Sequence, residues 1–328
     1  MTDRASSFKI WTNAVFPEEV ALQFRRAVSE HEIITAQRTS ALNLAGSPPD
    51  MRLADADIAF GQPDANQLMQ LTNLRWVHLT TAGYTAYDRD DLKEILRSRR
   101  IPLTTSSGVY DDPCAQHVLS MMMAFARQLP QSLIEQRTGR EWPAAIRRRE
   151  SFLLNGQTAI LCGYGEIGTR LSELLQPFRM NLIGVRRKPT GDELIPTVSI
   201  SQLNDLLPSA DHVINLLPAN PTTKRFFSTD RLHRMKSTAY FYNVGRGTTV
   251  DEDSLATLLD NQRLAGAYLD VTAVEPLPTE HPLWTLPNCF ITPHTAGGFS
   301  GEMSTLVGHF LENLKRFQSG SPLLNRVI

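Results

Sequence analysis

Gly163-Tyr164-Gly165-Glu166-Ile167-Gly168 follows an apolar run at 158–162 and opens an amphipathic stretch. A strand that turns through three glycines at this spacing into a helix leaves few folds open. Gly163 permits a tight turn, Gly165 lets a pyrophosphate approach the backbone, and Gly168 lets the helix lie close on the strand. The start of that helix offers N–H groups and the positive end of a dipole to a phosphate. Tyr164, Glu166 and Ile167 lie inside the turn and belong to the same dinucleotide-binding set. Glycine turns are common, so the strand before this one and the helix after it carry the reading.

The rest of the chain is organised to match. Its 328 residues suggest two domains. Short apolar runs alternate with longer amphipathic ones, which predicts α/β architecture with parallel sheets. Strands are expected at 8–12, 33–36, 58–60, 76–79 and 103–105 in the first part. A helix at 115–127, with Pro113 at its start, opens the second part. There, strands are expected at 158–162, 182–185, 212–216, 240–244, 267–271 and 290–292, with helical stretches including 171–178 and 254–261. Six strands fit a Rossmann-type doubly wound sheet, whose ligands gather beyond the carboxyl ends of the strands. The expected division is a dinucleotide-binding domain at 111–295 and a discontinuous, flavodoxin-like substrate domain at 1–110 and 296–328. The tail from Phe299 returns to that second domain.

Chemistry-bearing stretches stand at those strand ends. Asn243-Val244-Gly245-Arg246-Gly247 ends the fourth strand of the nucleotide domain, Asp270-Val271 with Glu275-Pro276 the fifth, and Thr292-Pro293-His294-Thr295-Ala296 the sixth. An Arg grips a carboxylate through two parallel hydrogen bonds. A His carries a proton near neutral pH, and a Glu beside it keeps it charged. Each alone has a bland reading: an ion pair, a turn residue, a satisfied histidine. Together they are parts for moving a hydride and a proton onto the carbonyl of a 2-keto acid.

Two further stretches bear on ligands. The second strand of a dinucleotide fold ordinarily ends in an acid that binds the ribose of NAD. Here Val185 is followed by Arg186, Arg187 and Lys188. Three cations suit a 2′-phosphate, so NADP(H) is favoured over NAD(H), with Arg187 the first choice and Arg186 the second as phosphate ligand. Leu217 to Thr223, including Pro218, forms a loop after the third strand that can close over the nicotinamide side. In the first domain, Thr80-Thr81-Ala82-Gly83-Tyr84 is a small-residue turn whose N–H groups can bind a carboxylate.

Bulk properties exclude other classes. The formal net charge is −1, from 33 basic and 34 acidic residues, which gives no electrostatic case for nucleic acid or an anionic membrane. The N-terminal 20 residues have no apolar core of signal-peptide type, and the most apolar stretch, 117–126, is too short to span a bilayer. Cys114, Cys162 and Cys289 show no metal spacing and read as free thiols of a reducing cytoplasm, with Cys162 in the core. No metal site is expected.

At this point the chain resembles the D-isomer-specific 2-hydroxyacid dehydrogenase family over nearly its whole length, most strongly from Pro113 to Gly298. The glycine turn, Asn-Val-Gly-Arg-Gly, Asp-Val with Glu-Pro-Leu, and Thr-Pro-His-Thr-Ala occur in the family's order. The resemblance implies reduction of a small 2-keto acid, of the glyoxylate or hydroxypyruvate type, to the D-2-hydroxy acid. Arg246 would bind the substrate carboxylate and polarise the carbonyl. His294 would be the general acid, and Glu275 would orient it and raise its pKa. Ala82, Gly83 and Tyr84 would join Arg246 in substrate binding. Leu217, Pro218, Thr223, Val244, Gly245, Asp270, His294, Ala296 and Gly297 fall at family cofactor positions. A homodimer through the nucleotide domain is implied too. Departures are Tyr84 and Thr85, where the family commonly has Val-Asp, and Asn220, where it commonly has Thr. The alternatives are a nucleotide sensor of the corepressor type and a dehydrogenase for a larger acid, such as phosphoglycerate or a branched keto acid.

Overall fold

A computed structural model describes residues 7–40 and 48–328, so residues 1–6 of the N-terminal segment lie outside the described part. The chain forms two compact units, Met1–Tyr110 with Phe299–Ile328, and Asp111–Gly298. Among the described residues, no helix is long and apolar enough to cross a membrane.

The first unit is built on a five-stranded parallel sheet. Its strands are β1 (Lys9–Ala14), β2 (Glu32–Ser40), β3 (Ile58–Gly61), β4 (Trp76–Leu79) and β5 (Leu103–Thr104), in the order β2-β1-β3-β4-β5. All four residues of β3 and of β4 are buried, as expected for parallel strands covered on both faces. Helix α1 (Glu18–Ala27) and the terminal helix α2 (Glu302–Ser319) turn apolar stripes to this sheet. Phe310 of α2 stacks on Phe60 and Trp76, with ring centroids 4.2 and 5.3 Å away. Each such buried ring contributes about 2–3 kcal/mol of burial, so this contact is what ties the end of the chain to β3 and β4.

The second unit carries a seven-stranded sheet, all parallel. Its strands are β6 (Thr158–Cys162), β7 (Asn181–Arg186), β8 (Thr197–Ser199), β9 (His212–Asn215), β10 (Tyr240–Asn243), β11 (Gly266–Leu269) and β12 (Cys289–Ile291). Their order is β12-β11-β10-β9-β6-β7-β8. This is the doubly wound order, with its reversal between β6 and β9. Every expected strand forms. The seventh, β8, corrects the six-strand expectation: three half-buried residues on a sheet edge bury too little to leave an apolar signature.

The helix expected from Pro113 instead runs from Ser107 to Ala126, with Pro113 inside it. Inside a helix proline removes one N–H bond and crowds the carbonyl four residues back, which is why its place in the sequence reads as a helix start and not as an interior position. Cys162 is fully buried in the main core of this unit, with Ile160, Val213, Phe227 and Phe241. All three cysteines are free and buried, and burial pushes each thiol up to about 12.

Candidate active site

The glycine turn lies at the reversal of the sheet. Gly163 has φ +95, and a Cβ there would stand 2.9 Å from the backbone of Leu216, the residue after β9. Both facts demand glycine. Gly165 caps helix α3 (Glu166–Leu175), and a Cβ there would meet only Gly163 O, at 3.9 Å. The helix start is thus open, with Glu166 exposed, Ile167 half-buried and Gly168 buried behind them. This cradle fits a dinucleotide pyrophosphate. Tyr164 is turned inward, its hydroxyl 2.9 Å from Ser172 Oγ, so only its backbone faces the turn.

Beyond β7, the three cations are held unequally. Arg186 Nη1 lies 3.3 Å from Glu193 Oε1. Glu193 also accepts from the N–H groups of Thr190 at 2.7 Å and Gly191 at 2.8 Å. These bonds, that of Thr190 foremost, hold its carboxyl down at about 2. Arg187 and Lys188 are exposed and make no ion pair among the described residues. The strand end therefore has an acid after all. Glu193 escaped the sequence reading because it stands seven residues beyond Arg186 and comes back only through the turn before β8.

Buried amides anchor the loop after β10. Asn215 Nδ2 donates to Asn243 Oδ1 at 2.9 Å and to Thr249 Oγ1 at 2.7 Å, and all three residues are fully buried. Asn243 Oδ1 accepts from Gly245 N at 3.2 Å, and Thr249 Oγ1 donates to Arg246 O at 2.6 Å. Val244 is buried, with its N–H on Asn215 O at 3.2 Å. Arg246 is thereby fixed on both sides and half-buried, with Nη1 donating to Gly245 O at 2.6 Å. Burial lowers its pKa, and the neighbouring charge of Glu275 opposes that shift. Leu217 packs its side chain into the core, while Thr223 Oγ1 donates to Pro218 O at 2.6 Å and closes the 217–223 loop.

Asp270 organises the segment that carries His294. Its Oδ1 accepts from Thr292 Oγ1 at 2.6 Å and from Thr295 N at 2.8 Å, and its Oδ2 accepts from Ala296 N at 3.0 Å. The Asp270 carbonyl also takes His294 N at 2.8 Å. His294 sits at φ +53, a left-handed conformation uncommon for a side-chain-bearing residue and one that clusters at functional sites. Glu275 Oε1 accepts from Thr272 N at 3.1 Å and its Oε2 lies 2.8 Å from His294 Nδ1. A carboxylate can only accept, so Nδ1 carries a proton there and Nε2 is the nitrogen left for chemistry. Gly247 lies flat against this segment: a Cβ on it would stand 1.9 Å from Thr272 C. Gly297 is half-buried beyond the clamp.

One unit thus contains Arg246, Glu275, His294 and the glycine turn. The turn Ala82-Gly83-Tyr84 belongs to the other unit and is half-buried there. None of its three N–H groups donates to a protein acceptor among the described residues. Sequence reasoning missed Asn215, Thr249 and Glu193, which hold the site without standing in a signature of their own, and gave Thr292, the first residue of the Thr-Pro-His-Thr-Ala stretch, no role although its hydroxyl bonds Asp270.

Comparison with known proteins agrees in kind. Residues 119–296 match the family described as D-isomer specific 2-hydroxyacid dehydrogenase, NAD binding domain. The chain is 31% identical over 239 residues to glyoxylate reductase of Thermofilum pendens, covering 71% of this chain and 68% of that one. It is 28% identical over 253 residues to the glyoxylate reductase/hydroxypyruvate reductase of Homo sapiens, covering 76% of each. The crystal structure of a D-isomer specific 2-hydroxyacid dehydrogenase from Xanthobacter autotrophicus Py2, in complex with NADPH and MES, is similar with a TM-score of 0.81 at 26% identity over 98% of each chain. The chain belongs to the D-isomer-specific 2-hydroxyacid dehydrogenase family and is an NAD(P)-dependent oxidoreductase.

Proposed function

We propose that this enzyme reduces a small 2-keto acid, of the glyoxylate or hydroxypyruvate type, to the D-2-hydroxy acid, with NADPH preferred over NADH. The observation that carries the reading is the His294 Nδ1–Glu275 Oε2 contact of 2.8 Å, in the same unit as a half-buried Arg246. The relatives named glyoxylate reductase lend it support.

The nicotinamide, when bound, supplies the hydride for the keto carbon. Gly163, Gly165 and the α3 start hold the pyrophosphate. Leu217, Pro218, Thr223, Val244, Gly245, Asp270, Ala296 and Gly297 are the further cofactor contacts, several of them through backbone. Arg246 binds the substrate carboxylate and stabilises negative charge developing on the carbonyl oxygen. His294 Nε2 delivers a proton to that oxygen, while Glu275 holds the ring and offsets its positive charge. The N–H groups of Ala82, Gly83 and Tyr84 are a further carboxylate-binding element.

The preference for NADPH rests on Arg187 and Lys188, exposed and without an acidic partner among the described residues. Arg186 is already engaged with Glu193, which keeps Arg187 the first choice as phosphate ligand. A homodimer through the nucleotide-binding unit is supported by the exposed apolar side chains Leu133 and Ile134 on one helix (Leu129–Thr138), Ile146 on the next (Ala144–Glu150), and Trp142 between them, 92% exposed. Free, buried thiols suit the cytoplasm. The test is a panel of 2-keto acids with NADPH and NADH at fixed salt, followed by nicotinamide absorbance. The highest kcat/KM is expected for glyoxylate or hydroxypyruvate with NADPH. A larger acid turned over much faster, or NADH preferred, would contradict the assignment.

A further inference from the structure

The carboxyl ends of β1, β3 and β4 are joined by a chain of buried polar side chains that the catalytic groups do not use. Asn13 closes a two-way bond with the backbone of Gln62: Gln62 N donates to Asn13 Oδ1 at 2.9 Å, and Asn13 Nδ2 donates to Gln62 O at 3.2 Å. The Gln62 side chain, on a residue only 5% exposed, then reaches to the next strand end. Its Nε2 donates to Thr80 Oγ1 and to Thr81 Oγ1, each at 3.1 Å. With both amide hydrogens committed, the Thr81 hydroxyl acts as donor to Gly83 O at 2.6 Å. The chain of bonds ends inside the turn whose three N–H groups have no protein acceptor among the described residues.

Burying an amide is unfavourable unless its bonds are made, and an apolar side chain of the same length would fill this volume without that demand. The directional bonds are what Gln adds. We propose that Gln62 is a positioning residue for substrate: through Thr81 and Gly83 it sets the direction of the Ala82, Gly83 and Tyr84 N–H groups, and so the strength of carboxylate binding. The inference rests on the reading of that turn as a carboxylate-binding element.

The experiment measures kcat and KM for glyoxylate with NADPH, and the dissociation constant of NADPH, in Gln62→Met, Thr81→Val, Thr81→Ser and the Gln62→Met/Thr81→Val double variant. Gln62→Met keeps the length and removes the donors. It is expected to raise KM roughly tenfold with kcat within about twofold, because lost uniform binding appears in KM alone. NADPH affinity should stay at its wild-type value. Thr81→Val should match it, Thr81→Ser should restore wild-type KM, and the double variant should be no worse than either single one, since both break one chain of bonds. If Gln62→Met does not fold, the Val and Ser pair at Thr81 still decides. A wild-type KM in Gln62→Met, fully additive effects in the double variant, or Thr81→Ser as impaired as Thr81→Val would overturn the proposal. Gly83→Pro, which deletes one N–H of the turn, separates the two readings. A raised KM there beside unaffected Gln62 and Thr81 variants sinks only the role of Gln62; an unchanged KM there removes the turn from substrate binding and this inference with it.

Discussion

The two rims of the seven-stranded sheet each carry a histidine, and the contrast between them explains where chemistry is placed. His212 opens β9 at the amino-end rim and is fully buried. Its Nε2 lies 2.7 Å from Gln157 Oε1 and its Nδ1 lies 3.0 Å from Tyr242 OH. Its ring stacks on Tyr240, and burial drives its pKa down to about 4 against the smaller opposing effect of Asp211. His294 lies past β12 at the carboxyl-end rim, half-buried, with a carboxylate on one nitrogen and no protein partner on the other among the described residues. One ring has both nitrogens committed to neutral partners and packs; the other has a nitrogen to spare and a counter-ion. Cavity alone does not separate the rims, since the amino-end rim has a pocket of about 460 Å³ bordered by Gln157, Asp211 and Tyr240. Committed donors and acceptors do.

The largest effect that can break this contrast is at His294. His294→Ala is expected to lower kcat by about 10²- to 10⁴-fold with NADPH affinity nearly unchanged, whereas His212→Gln should leave kcat within about twofold. Steady-state kinetics on both variants checks this, and comparable losses in the two would erase the distinction.

Arg246 comes next. Arg246→Lys keeps a charge but loses the planar fork, and kcat/KM is expected to fall roughly 30- to 1000-fold, an effect of about 2–4 kcal/mol. Unchanged kinetics would move carboxylate binding elsewhere. Replacing both Arg186 and Arg187 by Gln should weaken use of NADPH about 10- to 100-fold and use of NADH only slightly, measured as kcat/KM at fixed salt. Equal losses with both cofactors would mean that this turn holds the fold and not the phosphate.

The smallest effect on turnover is the one that sharpens the view of the other rim. The folded-state pKa of His212, about 4, lies below the ordinary value of 6.5, so the unfolded chain takes up the proton first. Stability from the neutral ring is complete above pH 6.5 and is lost as pH falls from 6.5 towards 4, by roughly 3 kcal/mol in all. Urea unfolding at pH 7 and pH 4.5 should therefore show a steeper acid loss for wild type than for His212→Gln. Parallel slopes would show that His212 does not carry this linkage.

Much of this is legible in the sequence itself. Strands β6, β10 and β11 announce themselves as nearly continuous buried apolar runs, β6 and β10 leading straight into glycine turns, and Arg246, Glu275 and His294 stand in ordered signatures beyond the strand ends. What escaped has physical reasons. Strand β8 is short, polar and on an edge. Glu193 reaches Arg186 only because the turn before β8 folds back over seven residues, while Asn215 bonds Asn243 and Thr249 across 28 and 34 residues, partners that no local pattern encodes. Leu217 and Tyr164, both at cofactor positions, turn their side chains into the core and leave only their backbone facing the site. Position in a motif specifies the backbone path, and only the pairing of strands decides which way a side chain points.

The most direct test of the central claim follows the hydride. Wild-type enzyme is incubated with hydroxypyruvate and NADPH carrying deuterium at both C4 positions of the nicotinamide, and the product is analysed by mass spectrometry and chiral chromatography. The account predicts glycerate of D configuration with one deuterium on C2, formed faster than with equally labelled NADH. Product without deuterium at C2, or of L configuration, would contradict it.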